Sequence, residues 1–298
     1  MGSDASGAQR LRVAFARHPA FPTRQDVIAE FRPEEADVEV IIVRKPEDAA
    51  PIVADAYSAL LAAKPNAVLG LATGSTPLGV YKELIRRHKD QGLSFARVTA
   101  FNLDEYVGLP AGHPELYRTF IEREFTGQVD FAPDAVHGPD GLAEDLRQAG
   151  RDYDQAIKDA GGIDIQILGI GSDGHLAFNM PGSSLVSRTR LKTLTTKTRE
   201  DNARFFDGDI NQVPKHCLTQ GLGTIMECRH AILLGFGFGK AQAVAECVEG
   251  GVSARWPASI LQMHAHATVV VDEEAASQLR LTSYYTNTYE GKPDWQGI

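Results

Sequence analysis

The sequence contains little cysteine. Cys217, Cys228 and Cys247 are odd in number, show no C-x-x-C spacing and have no paired histidines at ligand distance. This pattern argues against both a disulfide framework and a structural zinc site. We therefore expect three buried, reduced thiols.

Long apolar runs and excess positive charge are also missing. No run approaches the roughly 18 consecutive apolar residues of a membrane span, and no secretion signal is readable, so the predicted location is the cytoplasm. The formal net charge of -9 argues against a nucleic-acid partner, because phosphate backbones demand a basic face. An anionic small molecule would need a local pocket of Arg, Lys and backbone N–H groups.

Apolar segments alternate with amphipathic ones over most of the 298 residues, 43% of which are hydrophobic. Residues 1–37 show little periodicity and are interpreted as an N-terminal extension to one domain, 38–298. The predicted elements are strands over 38–43, 66–72, 97–103, 163–170 and 230–236, helices over 46–63, 78–92, 114–125, 142–162 and 239–250, and a strand passing into a helix over 267–279. Continuous apolar strands separated by helices predict an α/β fold with a mostly parallel sheet covered on both faces.

Ligands of such sheets bind beyond the carboxyl ends of the strands. The loop "TGSTP" after the second predicted strand offers Thr73, Gly74, Ser75 and Thr76 just before a helix that has Pro77 in its first turn. Backbone N–H groups at such a helix start can bind an anion. The loop lacks the Walker A pattern, and an ordinary capped turn is the alternative.

Two further loops carry acid–base groups. In "FNLDEYVGL", Asp104 and Glu105 follow a strand, and one of them is a candidate general base. The alternative is that one caps a helix or turn and the other is solvated. In "GSDGHLAFN", Asp173 can orient and charge His175 for proton transfer; a lone histidine is more often structural, but the flanking glycines favour function.

Two cations and one long segment complete the predicted site. Lys240 begins a helix after a glycine-rich strand end, and Arg204 lies within "TREDNARFFD". The segment 183–217 is long and polar, and its length predicts a lid.

From about residue 38 to about 290 the sequence resembles the glucosamine-6-phosphate deaminase family. The resemblance rests on seven collinear motifs: "LGLATGSTPLGVYKELI", "FNLDEYVGLP", "GIGSDGHLAFN", "SSLVSRTRLKTLT", "ARFFD", "NQVPKHCLTQGLGT" and "GKAQAVAECVEG". It implies a Rossmann-like three-layer α/β/α sandwich, no metal or other cofactor, a sugar phosphate as the bound small molecule, and a homo-oligomer, often a hexamer. The implied reaction converts glucosamine 6-phosphate and water into fructose 6-phosphate and ammonia.

The resemblance also implies roles for the predicted residues. Asp104 would move the proton between C1 and C2, and His175, assisted by Asp173, would open the pyranose ring. Phosphate would be bound by Thr73, Gly74, Ser75 and Thr76 together with Arg204 and Lys240.

The sequence departs from the family at Met180, where members carry a ring-opening glutamate. A thioether holds no charge and cannot support an imidazolium, so the proton affinity of His175 should fall. Three outcomes follow: a slow deaminase, a deaminase with a carboxylate from elsewhere, or a relative turned to another substrate, such as a different sugar phosphate or a lactone. A non-catalytic sugar-phosphate sensor is a further alternative.

A second departure concerns regulation. Residues that match the family's allosteric site for N-acetylglucosamine 6-phosphate are present, but Thr286 stands where a tyrosine is used, and the chain begins some 30 residues earlier than in those enzymes. The matching residues are Ser183, Arg190, Lys192 and Thr193.

Overall fold

A computed structural model of the chain describes residues 38–293 and 296–298. The predicted N-terminal extension, residues 1–37, lies outside the described residues.

Ten strands are formed in the described part of the chain. They are β1 (Val38–Val43), β2 (Val68–Leu71), β3 (Thr99–Asn102), β4 (Asp104–Tyr106), β5 (Val136–His137), β6 (Ile165–Gly169), β7 (Arg190–Thr193), β8 (His216–Thr219), β9 (His230–Gly235) and β10 (Ala267–Asp272). The helices are α1 (Pro46–Ala63), α2 (Leu78–Gln91), α3 (Tyr117–Glu124), α4 (Leu146–Asp159), α5 (Thr196–Asn202), α6 (Leu222–Ile225), α7 (Ala241–Val248) and α8 (Thr282–Glu290). Short 3-10 segments cover Thr126–Gln128, Ala203–Phe205, Phe238–Lys240 and Pro257–Met263.

Seven strands form one sheet in the order β1-β10-β9-β6-β2-β3-β5, and every pairing in it is parallel. Its central strands are apolar and buried on both faces, as Ile167 and Val270 illustrate with exposures of 0%. Helices connect the parallel strands and bury their apolar stripes against the sheet. The predicted α/β fold with a parallel sheet is confirmed, and the predicted bounds of β1 and α1 agree with the structure to the residue.

The helix predicted directly after the last strand is wrong. Residues 273–278 form turns, and α8 begins only at Thr282. The carboxylate of Asp272 accepts hydrogen bonds from Ala275 N at 2.8 Å and from Gly237 N at 3.0 Å, which ties this turn to the loop after β9. Side-chain capping of this kind competes with a continuing helix.

A second, antiparallel sheet of three short strands in the order β4-β8-β7 was not predicted. In its register Asp104 pairs with Thr219, which in turn pairs with Arg190. Cys217, two residues before Thr219 on β8, pairs with Tyr106 on β4 and with Lys192 on β7. Paired residues and residues two apart share a face, so Asp104, Arg190 and Lys192 lie on one face of this small sheet.

The predicted lid segment, 183–217, contributes β7, α5 and the start of β8. Within it, Arg199 donates to the carbonyls of Ile210 and Val213 at 2.6 and 3.2 Å. Asn202 donates to the hydroxyl of Tyr106 at 2.7 Å, which connects the segment to the strand that carries Asp104.

Candidate active site

Four neighbouring strands, β9-β6-β2-β3, present their carboxyl ends side by side because they run parallel. The loop or segment after each of these ends carries one of the predicted groups. They are Lys240 after β9, Asp173 and His175 after β6, Thr73–Thr76 after β2, and Asp104 after β3. These loops were chosen because each follows the carboxyl end of a predicted strand, and in the structure they lie along one edge of the sheet.

Asp104 lies where the chain passes from the large sheet to the small one. Only Leu103 separates it from β3, and its exposure is 6%. Burial raises the pKa of Asp104 well above its ordinary value, and the nearby charge of Glu105 raises it further. A buried carboxylate with a raised pKa is a stronger base than a solvated one, as a general base requires.

Glu105 faces away from Asp104 and takes the capping role that the sequence had left open for one of the two. Its carboxylate accepts hydrogen bonds from the N–H groups of Tyr106 and Tyr117 at 2.9 Å and of Arg118 at 3.0 Å. Burial raises its pKa, although the three N–H groups act in the opposite direction. Glu105 therefore caps α3, and Asp104 is the one of the two acids that is left as the candidate general base.

Asp173 and His175 form the predicted pair. Nδ1 of the imidazole lies 2.6 Å from Oδ1 of Asp173, and the same oxygen accepts the backbone N–H of His175 at 3.2 Å. The bond to His175 lowers the pKa of Asp173, so the carboxylate is ionised at neutral pH. We therefore assign the proton of a neutral imidazole to Nδ1, which leaves the lone pair on Nε2.

Two glycines make this loop geometry possible. A Cβ at Gly171 would lie 2.1 Å from Nδ1 of His175, so the imidazole occupies the space that a side chain would need. Gly174 has a φ of +80° and packs against the Trp256 ring. Sequence reasoning noted these glycines, and the structure gives their steric reason.

The loop at Thr73–Thr76 ends β2 and opens α2. Gly74 has a φ of +91°, and no side chain caps the helix, whose N-cap is Pro77. Uncapped N–H groups at a helix start suit an anion. The hydroxyl of Tyr81 donates to the carbonyl of Ala72 at 2.7 Å and accepts its N–H at 3.1 Å, which anchors the loop. Sequence reasoning missed Tyr81, because nothing in its spacing distinguishes it from a core tyrosine.

The two predicted cations differ in their surroundings. Lys240 is half-buried at the end of a 3-10 turn; burial lowers its pKa, and the charge of Asp173 counteracts that shift, which relates it electrostatically to the His175 loop. Arg204 is exposed, and its guanidinium lies 4.7 Å from the centre of the Phe205 ring. Within the described residues, no hydrogen bond joins Arg204 to the loop at Thr73–Thr76.

Met180 is half-buried in an apolar environment. It packs against a cluster that includes Tyr106, Phe178 and Phe206. Phe178 belongs to the His175 loop and Tyr106 to the strand of Asp104, so the thioether packs against a cluster that both elements share and offers no charge to either.

The predicted allosteric residues lie beside Met180 and on the small sheet. The Ser183 hydroxyl is buried and has no hydrogen-bond partner among the described residues, while Thr193 is exposed. Arg190 and Lys192 are half-buried and pair with no carboxylate in the described part of the chain; burial lowers the pKa of both. Two neighbouring cations without acidic partners are suited to an anion.

Among residues 38–293 and 296–298, no group of three or more His, Cys, Asp or Glu side chains could hold a metal ion. No helix in the same ranges is long and apolar enough to cross a membrane.

The fold and this edge of the sheet define an α/β protein with an uncapped helix start and acid–base groups along one edge of a parallel sheet. Residues 46–270 match the family of glucosamine-6-phosphate isomerases/6-phosphogluconolactonase, and the chain belongs to this family. It is 63% identical to the glucosamine-6-phosphate deaminase of Beutenbergia cavernae and 61% identical to that of Mycolicibacterium smegmatis, in each case over 88% of this chain and 100% of the relative.

Solved structures agree with this assignment. A structure described as that of a monomeric glucosamine-6-phosphate deaminase is 43% identical, with a TM-score of 0.78 over 81% of this chain and 100% of its own. The 6-phosphogluconolactonase from Trypanosoma cruzi is 20% identical, with a TM-score of 0.64 over 84% of this chain and 98% of its own, which shows a shared fold alone.

Proposed function

We propose that this protein is a glucosamine-6-phosphate deaminase, an enzyme that converts glucosamine 6-phosphate and water into fructose 6-phosphate and ammonia. One observation carries the proposal. Asp104, a buried carboxyl group with a raised pKa, follows the end of β3; the neighbouring β2 leads to an uncapped helix start, and β6, on the far side of β2, leads to the Asp173–His175 pair. The deaminases that are 61–63% identical to this chain support the same activity.

His175 and Asp173 would open the sugar ring. Nε2 accepts the proton of the anomeric hydroxyl, the bond between C1 and the ring oxygen breaks, and the imidazolium gives its Nε2 proton to the ring oxygen. Asp173 stabilises the imidazolium formed meanwhile through its 2.6 Å contact with Nδ1.

Asp104 would then isomerise the open chain. Its carboxylate removes the proton from C2, a C1=C2 double bond forms, and the aldehyde oxygen at C1 takes a proton from the ammonium group at C2. Asp104 then returns its proton to C1 while the nitrogen lone pair forms a double bond to C2, which leaves an iminium at C2 and a hydroxymethyl group at C1. Water adds to C2 and the C–N bond breaks to release ammonia. The loop at Thr73–Thr76, with Lys240 and Arg204, would hold the phosphate during these steps.

Met180 makes the proposed ring opening dependent on Asp173 for charge stabilisation. General acid–base assistance is typically worth about 10²–10⁴-fold, so we expect ring opening to be slow relative to isomerisation. Retention of Asp104, Asp173 and His175 speaks against a non-catalytic sensor.

The test is a side-by-side assay of the purified full chain. Ammonia and fructose 6-phosphate are measured from glucosamine 6-phosphate, and acid release is measured from 6-phosphogluconolactone. The expected result is equimolar ammonia and fructose 6-phosphate with no hydrolysis of the lactone above the uncatalysed rate. Lactone hydrolysis without ammonia would replace this proposal with a lactonase, and the absence of both reactions would reject an enzyme of either kind.

The segment 183–217 is proposed to close over the bound sugar phosphate. Its support is the contact of Asn202 with Tyr106, which lies two residues from Asp104. Protection of this segment from proteolysis by fructose 6-phosphate is expected, and equal cleavage with and without the ligand would contradict the lid.

A second anion site at Ser183, Arg190, Lys192 and Thr193 is also proposed, supported by the two half-buried cations that lack acidic partners. N-acetylglucosamine 6-phosphate should lower the KM of the wild type and leave that of Lys192→Met unchanged.

The homo-oligomer and the cytoplasmic location remain predictions. The solved relative is described as monomeric. Analytical ultracentrifugation of the full chain decides between a monomer and a hexamer, and fractionation of the source cells tests the location.

A further inference from the structure

Gln220 is a fully buried glutamine just beyond the end of β8. Its side-chain Nε2 donates to the carbonyl of Asn102 at 3.1 Å, and its backbone N–H donates to the carbonyl of Leu103 at 2.8 Å. Both acceptors belong to the two residues that immediately precede Asp104. One residue therefore fixes the backbone that delivers the proposed base.

Gln220 also contacts the His175 loop. The carbonyl of Gln220 accepts from Nδ2 of Asn179 at 2.8 Å. The same Nδ2 also donates to the carbonyl of Leu176 at 3.0 Å, directly after His175. Beside it, Phe178 N donates to the hydroxyl of Thr219 at 3.2 Å. A short path of buried hydrogen bonds thus joins the strand of Asp104 to the loop of His175 through Gln220.

The position of these bonds follows from the change of sheet at Leu103. The chain leaves a parallel ladder after Asn102 and enters an antiparallel one at Asp104, so the carbonyls of Asn102 and Leu103 fall between the two ladders. Buried carbonyls need partners. Gln220 supplies a donor to each of them, and Tyr153 gives Asn102 a second at 2.7 Å.

We propose that Gln220 is a positioning residue that fixes the carboxylate of Asp104 and the imidazole of His175 relative to each other. It acts through the backbone of Asn102 and Leu103 on one side and through Asn179 on the other, and it touches neither reacting atom. The proposal rests on the proposed function, because its readout is the proton transfer assigned to Asp104.

The first test is Gln220→Leu, which keeps most of the volume and removes the donor to Asn102. A misplacement of about 1 Å can cost about 10²-fold in rate. We expect kcat to fall about tenfold or more, with KM changed less than about twofold, because Asp104 rather than the phosphate site is disturbed. We also expect the primary isotope effect with glucosamine 6-phosphate deuterated at C2 to rise, because proton removal from C2 becomes more rate-limiting.

The isotope effect separates positioning from mere structural support. A variant that is only less stable contains fewer folded molecules, which lowers kcat and leaves the isotope effect at the wild-type value. Gln262→Leu is the matched control, since Nε2 of Gln262 also donates to two carbonyls, of Cys247 and Gly250, at 2.9 Å each. Its isotope effect should equal that of the wild type. An unchanged isotope effect in folded Gln220→Leu overturns the proposal.

Gln220→Glu decides the matter if the leucine variant does not fold. Buried glutamates can have pKa values of about 8–9, so at about pH 6 the protonated carboxyl can still donate to Asn102, whereas near pH 9 it cannot. We expect a wild-type isotope effect at the lower pH and a raised one at the higher pH, relative to wild type at each pH. An isotope effect equal to that of the wild type across this range contradicts positioning. If the wild type itself releases no ammonia, the proposed function has failed before this question arises.

Discussion

The two sheets of this protein differ in what their side chains do. The seven-stranded sheet is largely apolar through its centre and buried on both faces, whereas the three-stranded sheet carries Asp104, Arg190 and Lys192 on one face. Charges are costly in the middle of a doubly covered sheet, and they become affordable only where the chain leaves it. We therefore expect the large sheet to supply stability, and its carboxyl edge together with the small sheet to supply the chemistry.

Asp104→Asn should produce the largest effect and should leave the fold intact. We expect kcat to fall about 10²–10⁴-fold, because the amide cannot accept the C2 proton. Folding raises the pKa of Asp104 above its unfolded value of about 3.8. At a pH above 3.8 the ionised carboxylate therefore lowers the stability of the folded state. The variant's free energy of unfolding at pH 7 should therefore equal or exceed that of the wild type.

Ammonia release and urea denaturation measure the two quantities. The control is Asp90→Asn, which alters a carboxylate that is 61% exposed on α2. Activity retained by Asp104→Asn would remove this residue from the chemistry.

Ile167→Ala should have the opposite effects: it should lower the stability of the protein and leave kcat unchanged. Ile167 is fully buried in β6, and truncating such a side chain typically costs about 2–5 kcal/mol of stability. The kcat of the folded fraction should not change, because the catalytic groups lie beyond the strand ends. Met263→Ala, at a side chain that is 71% exposed, should change stability by less than about 0.5 kcal/mol. A large fall in kcat with little loss of stability would break the division between the sheets.

Low pH should destabilise the large sheet at its amino edge, which is opposite the carboxyl edge that carries the candidate site. His230 and His266 stack there with ring centres 3.7 Å apart. Burial, together with the nearby charges of His264 and Lys292, lowers the pKa of His266 from 6.5 to about 4. The unfolded state therefore binds more protons, and stability present above pH 6.5 is lost as the pH falls towards 4.

At about 1.4 kcal/mol per pKa unit, we expect a loss of about 3 kcal/mol in the free energy of unfolding over this window. His266→Phe keeps the aromatic stack and cannot be protonated, so its denaturation midpoint should depend less on pH. Identical pH profiles for the two proteins would show that this histidine does not titrate on unfolding.

Met180→Glu should have the smallest effect and should sharpen the account of ring opening. A carboxylate at this position should support the imidazolium, and we expect about a tenfold gain in kcat. The buried charge should lower the melting temperature. Met263→Glu, at the exposed methionine, is the control and should leave kcat unchanged. If turnover does not rise, the site uses another proton carrier.

Sequence reasoning could predict the large sheet because its strands are long apolar runs, and it could predict the edge at which Asp104, His175 and Lys240 lie. It could not predict β4, β7 and β8, since strands of three or four residues that mix Arg, Lys and Asp with apolar residues carry no clear period. For the same reason it missed Gln220, whose role depends on carbonyls left between two ladders. It also could not predict burial, because nothing in "FNLDEYVGL" shows that both acids are buried or that Glu105 is the one that caps a helix.

The single residue between the two ladders has a consequence for how this protein tolerates change. Side chains alternate along an extended chain, so one amino acid added between Leu103 and Asp104 would exchange the directions of the two acids. Glu105 would then turn toward the sugar and Asp104 toward the start of α3. Both acids would still be present, but each would point in the direction that the other needs. We therefore expect this position to be far less tolerant of insertions than the surface loops nearby.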